Sequence, residues 1–363
     1  MTAQFLADGP SGQALLAIER GQDARAWLTE LTTDPVLAHP DEASLFEGAP
    51  AVAFTLAATQ HQRPLAVLDQ HVERITWARL EAAYCRMRAG ELAQKREFDL
   101  ISGLTGLGTY LLRRGNANEL LREVVRYLVR LSLPRPDGLP GWWAADGPTG
   151  PGPAWIGGHS NHGMAHGIAG PLTLLALTLR RGLVVSGQAA AIDRICCWLD
   201  RWRCGTPQRA WWPEVVTRTD YDRTAIRQRR PHRPSWCYGT PGIARAQQIA
   251  GLALDDRGRQ RTAESILACC ATDEAQLTQL GDVSLCHGWA GLVHSVWRAS
   301  QHNDELAAAL PDLLDRLTRH LARQPPTQRG LLTGTAGVTL ALRAAQTNTP
   351  PSTQWDACLL LNE

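Results

Sequence analysis

Apolar residues fall into two kinds of run along this chain. In "IAGPLTLLALTLRR" they occupy every side until the last turn, which predicts a helix buried all round. In "ELLREVVRYLVRLSL" Leu120, Leu121, Val124, Val125, Leu128 and Leu131 share one face. Arg122, Glu123, Arg126 and Arg130 take the other, which predicts an amphipathic helix. "DLLDRLTRHLAR" and "DRICCWLDRW" follow the second pattern. The two kinds alternate, so the chain reads as all-α, with an inner layer of buried helices and an outer layer of amphipathic ones. Strand-like patterning is sparse and confined to stretches such as "AWWPEVVTR".

The buried runs share an opening. A Gly-x-x-Gly step precedes seven of them, with first glycines at Gly9, Gly48, Gly103, Gly167, Gly239, Gly288 and Gly334. Only the second unit lacks the second glycine, having Ala51 there. A single such step marks little more than a turn. Seven in register, 39 to 72 residues apart, are a repeat architecture. Glycines at i and i+3 bare one helix face to a close neighbour, and the adjacent inner helix is the expected one.

The residues just before the first glycines are Asp8, Glu47, Ser102, His166, Tyr238, His287 and Thr333, all polar. If the inner helices run parallel, these side chains surround one mouth. Two long segments feed the same end. Residues 133–160 are rich in Pro and Gly and hold three tryptophans; residues 205–235 hold "AWWPEVV" and the basic run "RQRRPHRP". Long loops on one side of a rigid scaffold commonly carry function. The basic run reads as a solvated loop or as a guide for an acidic peptide segment.

The chain has 363 residues, 44% of them hydrophobic and 20% charged, enough for one large core or two ordinary ones. A net charge of +2 is too balanced for a nucleic-acid binder. No stretch is long and apolar enough to span a membrane, and the N-terminal residues lack the pattern of a signal peptide. The expected location is cytoplasmic. Nine cysteines in such a chain argue against a disulfide framework. Cys196–Cys197 and Cys269–Cys270 sit in helical runs and read as core packing.

Cys237 and Cys286 differ from these, because each stands two residues before a first glycine. With His287 they form a thiolate and imidazole set suited to zinc, with a fourth position left open as in catalytic sites. The spacing matches no zinc finger. The ligands would meet only if neighbouring repeat units meet. Two unrelated buried thiols and a helix-capping histidine remain the alternative.

"SWCYGTPG", "LCHGWAG", "AHGIAG" and "FDLISGLTG" resemble the signature stretches of the lanthionine synthetase C family of lanthipeptide cyclases, and the resemblance extends over all seven repeats. It implies an α/α toroid of seven inner and seven outer helices, in one domain over residues 1–363, with one Zn²⁺ at the mouth. It implies Cys237, Cys286 and His287 as zinc ligands, and catalytic or substrate-side roles for His166, Asp99, Arg233 and Tyr238. It also implies a precursor peptide containing Cys and dehydrated Ser or Thr as substrate. A dehydratase and a membrane exporter would be partners, and a complex with them would bring the protein to a membrane. The chain departs from the family in being somewhat shorter. The pattern does not reveal where a small β-containing insertion would lie, and Pro234 and Ser235 stand where a charged residue is common.

The implied reaction is Michael addition of a peptide thiol to a dehydro residue, giving a thioether ring. A free thiol has a pKa of about 8.5 and reacts as thiolate, so a metal that lowers that value helps. Two protein thiolates already neutralise Zn²⁺, so a third, from substrate, would keep its charge and its reactivity. The enolate left by attack must be stabilised and protonated at carbon. His166 suits the acid/base role, with Asp99 orienting it and Arg233 and Tyr238 near the developing charge. Tyr238 and Asp99 could instead cap helices. His159 and His162 read as solvated or structural. Two other functions fit the same residues: a non-catalytic, zinc-stabilised peptide scaffold whose fourth ligand would be Glu47 or Asp99, and addition of a small thiol such as glutathione to an electrophile.

Overall fold

The computed structural model describes residues 4–363 except 117, 149 and 151; residues 1–3, the start of the stretch read for a signal peptide, lie outside it. The seven glycine-opened runs are all helices. They are Ser11–Glu19, Ala49–Leu56, Leu104–Arg114, Ala169–Arg180, Thr240–Leu254, Trp289–Ser300 and Thr335–Thr347. Each packs on the next, and the seventh returns to the first, so they close a ring. Burial matches their composition: Ala49–Leu56 is buried throughout, as is Thr240–Leu254 for its first three turns.

Outer helices follow the first six inner ones. They are Arg25–Leu31, Gln62–Ala89, Asn118–Leu131, Gln188–Arg201, Arg257–Thr272 and Asp304–Arg323. The result is an α/α toroid, with seven inner helices but six outer ones among the described residues rather than the expected seven, because the chain after Thr335–Thr347 turns into the ring. In Asn118–Leu131 the six apolar residues read from the sequence are buried, together with Tyr127. The cysteine pairs need correction. Cys196 is buried but Cys197 is exposed; Cys270 is buried but Cys269 is half-buried. Neighbouring residues on a helix point about 100° apart, so only one of each pair can face the core.

The two long loop segments meet in the small β insertion. Strand β1 (His159–Asn161) pairs antiparallel with β2 (Val215–Thr217). Trp142, Trp143, Trp202 and Tyr221 gather round Trp198 to anchor this unit on the fourth outer helix. After the seventh inner helix the chain passes to the centre of the ring. Residues 355–361 are buried there, where Trp236 Nε1 and the Arg245 guanidinium donate to the Leu359 and Leu361 carbonyls. Asp356, fully buried, pairs with His294 at 2.9 Å and with Arg298 Nε at 2.7 Å. No described helix is long and apolar enough to cross a membrane.

The glycine steps work differently from expectation. A Cβ on Gly242 or Gly291 would run into the carbonyl oxygen of Trp236 or Leu285. At Gly12 the close neighbour is the Gly330–Leu331 loop of the seventh unit, and at Gly106, Gly170, Gly242, Gly291 and Gly337 it is the loop that leads into the same helix; in none of these is it the adjacent helix. Folding that loop back over its own helix places the residues just before each first glycine at one end of the barrel.

Candidate active site

A belt of backbone hydrogen bonds runs round that end, joining equivalent loops of successive units. Leu100 N–H donates to Ala165 O (3.1 Å), Ala165 to Cys237 (3.2 Å), Cys237 to Cys286 (3.2 Å), Cys286 to Leu332 (3.0 Å) and Leu332 to Ala7 (2.8 Å); Leu6 donates to Phe46 (2.9 Å). Among the described residues no such bond joins the second unit to the third. There the Arg79 guanidinium bridges Pro40, Ala43 and Ser102 carbonyls. A cavity of about 1170 Å³ opens beside it, lined in part by Val36, Leu37, Glu42, Glu47 and Ser102.

Because Cys237 and Cys286 occupy the same place in adjacent units, the belt sets them side by side. Their ligand atoms and one of His287 all lie within 4.8 Å of one another. No fourth Cys, His, Asp or Glu joins this cluster among the described residues, so neither Glu47 nor Asp99 closes it. The cluster offers three ligand atoms to one point. The neighbouring Cys286 thiol holds the Cys237 thiol down despite its burial, and the same closeness pushes Cys286 up. Ser235 Oγ, 3.6 Å from Cys237 Sγ, and the charge of Arg233 also favour the Cys237 thiolate.

His287 is held from behind. Its Nε2 meets Asp282 Oδ2 at 3.2 Å, and Asp282 Oδ1 accepts from Ser284 N at 2.7 Å. Burial alone would raise the Asp282 carboxyl; the His287 and Ser284 contacts outweigh it and keep the group ionised. A carboxylate on one histidine nitrogen, leaving the other for a ligand, is the usual support of a metal-binding imidazole.

His166 and Asp99 form a dyad next to this cluster, with Nδ1 to Oδ2 at 2.6 Å. Asp99 is buried, and its other oxygen accepts from Ser102 N at 2.7 Å, so it both fixes a turn and orients the histidine. The His166 ring is partly open, and the Tyr238 ring lies 6.1 Å away. Tyr238 caps nothing, since the helix Thr240–Leu254 has no side-chain cap. Burial pushes its phenol up to about 12. Arg233 is exposed, yet its charge acts on Cys237, Cys286 and His287. All seven residues singled out in the sequence therefore gather in one region.

His162 is structural, and His159 is buried rather than solvated. His162 Nδ1 donates to Pro213 O at 3.0 Å and its Nε2 accepts from Trp198 Nε1 at 3.0 Å. The basic run is an exposed coil in which Arg227 pairs with Asp220 and His232 with Glu214. Asp282 and Ser235 were not singled out in the sequence. The spacing Asp-x-Ser-x-x-His before a first glycine was the available signal for Asp282.

A family model described as lanthionine synthetase C-like protein matches residues 31–360, and the chain belongs to that family. Over 262 residues it is 24% identical to the nisin biosynthesis protein NisC of Lactococcus lactis subsp. lactis. That match covers 69% of this chain and 60% of the relative, less than two thirds of its length. The structure resembles that of a nisin cyclase with a TM-score of 0.84 at 20% identity, covering 99% of this chain and 92% of the other.

Proposed function

We propose that residues 1–363 act as a single zinc-dependent lanthipeptide cyclase domain. The substrate is a ribosomally made precursor peptide with Cys thiols and dehydroalanine or dehydrobutyrine. The product carries lanthionine or methyllanthionine thioether rings. The observation that carries this reading is the convergence of Cys237, Cys286 and His287 on one point, beside a His166–Asp99 dyad.

The donor set fits zinc: two soft sulfurs, one imidazole and a carboxylate behind it. Cys237, Cys286 and His287 would hold the ion, which when bound supplies the positive charge that makes a substrate thiol a thiolate at neutral pH. The chain's own groups do the rest. The thiolate sulfur bonds to the β-carbon of the dehydro residue, and the alkene electron pair moves into an enolate. Arg233 stabilises the enolate oxygen by charge, and Tyr238 by hydrogen bonding. His166, with Nδ1 held by Asp99, takes the substrate thiol's proton at Nε2 and delivers it to the α-carbon. The net change is addition of S–H across C=C, so atoms balance without an oxidant or reductant.

The cavity beside Arg79 gives room for peptide outside the ring being closed. A dehydratase would act before this step. An exporter would act after it, and would bring the protein to a membrane. Incubation with a dehydrated precursor peptide tests the reading. Free thiols should disappear at constant peptide mass, and fragmentation should show thioether cross-links. Thiols that persist as long as they do without the protein would refute it.

A further inference from the structure

Asn161 and Asp282 occupy the same place in two repeat units. Asn161 stands six residues before Gly167, and Asp282 six before Gly288. Their surroundings repeat. Asn161 Oδ1 accepts from Gly163 N at 2.9 Å, as Asp282 Oδ1 does from Ser284 N at 2.7 Å. The Asn161 carbonyl accepts from Ile168 N at 2.9 Å, as that of Asp282 does from Trp289 N at 3.1 Å. In the sixth unit the second side-chain atom, Oδ2, goes to a site residue, His287.

In the fourth unit the second atom is Asn161 Nδ2. Oδ1 faces the Gly163 N–H, which fixes the amide orientation. Asn161 is 1% exposed, and Nδ2 is buried without a hydrogen-bond partner. A buried donor left open is costly and uncommon, on the order of 1–3 kcal/mol. The histidine of this unit, His166, has no need of it, being held by Asp99. The next side chain is Tyr238: Gly163, the residue Asn161 holds, packs against the Tyr238 ring edge. Nδ2 makes no hydrogen bond in this structure, and the Tyr238 ring is the site side chain against which its own turn packs.

We propose that Asn161 is a positioning residue for the reaction, directing Nδ2 at Tyr238 Oη so that the phenol hydrogen faces the substrate. An oxygen that accepts from behind must turn its own hydrogen forward. Asn161 itself does not reach the substrate. The inference rests on the cyclase reading and adds to it the residue that aims Tyr238.

Asn161→Asp keeps the oxygen that Gly163 uses and replaces the donor with an acceptor, so Tyr238 should turn its hydrogen inward. Asn161→Ser keeps an oxygen and removes Nδ2. Thiol loss from the dehydrated peptide is measured for wild type, both variants, Tyr238→Phe and the double variants. Each single variant should lower kcat on the order of 10- to 100-fold, with KM and zinc content unchanged. Each double variant should be no slower than Tyr238→Phe alone, because the two residues act as one unit. Undiminished kcat in Asn161→Asp, or losses that multiply in the double variants, would overturn the proposal while the cyclase reading stands. An inactive wild type overturns both.

Discussion

The Cys237 backbone N–H donates to the Cys286 carbonyl at 3.2 Å, and this bond sets the two thiols side by side. It is one rung of a belt that repeats from unit to unit, so the cluster follows from repeat geometry and not from a local motif. Each thiol comes from a loop folded over its own inner helix. The site is therefore built on the most buried layer of the protein, which suits a centre that must hold its geometry.

Asp282 is expected to act through His287. Asp282→Ala should weaken zinc affinity about 10- to 100-fold, as removal of a carboxylate behind a metal-binding histidine commonly does. Competition against a chromophoric chelator measures it. Unchanged affinity would detach Asp282 from the centre.

The dyad should matter for proton delivery and not for metal binding. His166→Ala or Asp99→Asn should lower kcat on the order of 100-fold or more while zinc content stays at one ion per chain. Single-turnover kinetics with elemental analysis separate the two. A variant that loses zinc and activity together would place the dyad in the metal site.

Stability should fall in acid through His162. Burial depresses its pKa from 6.5 to about 3, against the opposing bond to Pro213. Between those values the unfolded chain binds a proton that the folded chain does not, so stability rises with pH there. The contribution is complete above pH 6.5 and is lost as pH falls toward 3. Buried His159, depressed to about 4, acts in the same sense. Urea melts of wild type and His162→Gln from pH 4 to 7.5 check this. The variant should show the shallower slope, and parallel slopes would contradict it.

The buried Asp356 should tie the C-terminal segment into the ring. Asp356→Ala leaves His294 and Arg298 without their carboxylate, at a cost of about 3–5 kcal/mol. Denaturant unfolding reads this, and a loss below about 1 kcal/mol would mean that the pair contributes little.

Much of this was legible in the sequence. The seven inner helices announce themselves because a helix buried all round must be apolar all round, and each is opened by a glycine. Cys237 and Cys286 were legible through their shared offset from Gly239 and Gly288, and His166 through its place just before Gly167. Less legible were features that depend on which backbone atoms meet. The second glycines from Gly106 onward clear their own loops and Gly12 that of the seventh unit, and no periodicity distinguishes that from clearing a neighbouring helix. Cys197 shows that helical spacing fixes a residue's face only when the face is counted residue by residue. Of the β insertion, β2 lies in the strand-like stretch "AWWPEVVTR", but β1 was hidden, because the strands have three residues each and lie more than fifty residues apart. Asn161 was not singled out in the sequence; only the shared six-residue offset of Asn161 and Asp282 from Gly167 and Gly288 marks it.

The central claim is that Cys237, Cys286 and His287 bind the ion that activates the substrate thiol. The most direct measurement follows thiol loss from one dehydrated precursor peptide with the zinc-loaded protein, with protein stripped by a chelator, and with stripped protein restored by zinc. Rapid loss is expected with the first and third and only the background rate with the second, and Cys286→Ala should remain at background even with zinc added. Equal rates with loaded and stripped protein, or full activity in Cys286→Ala, would contradict it.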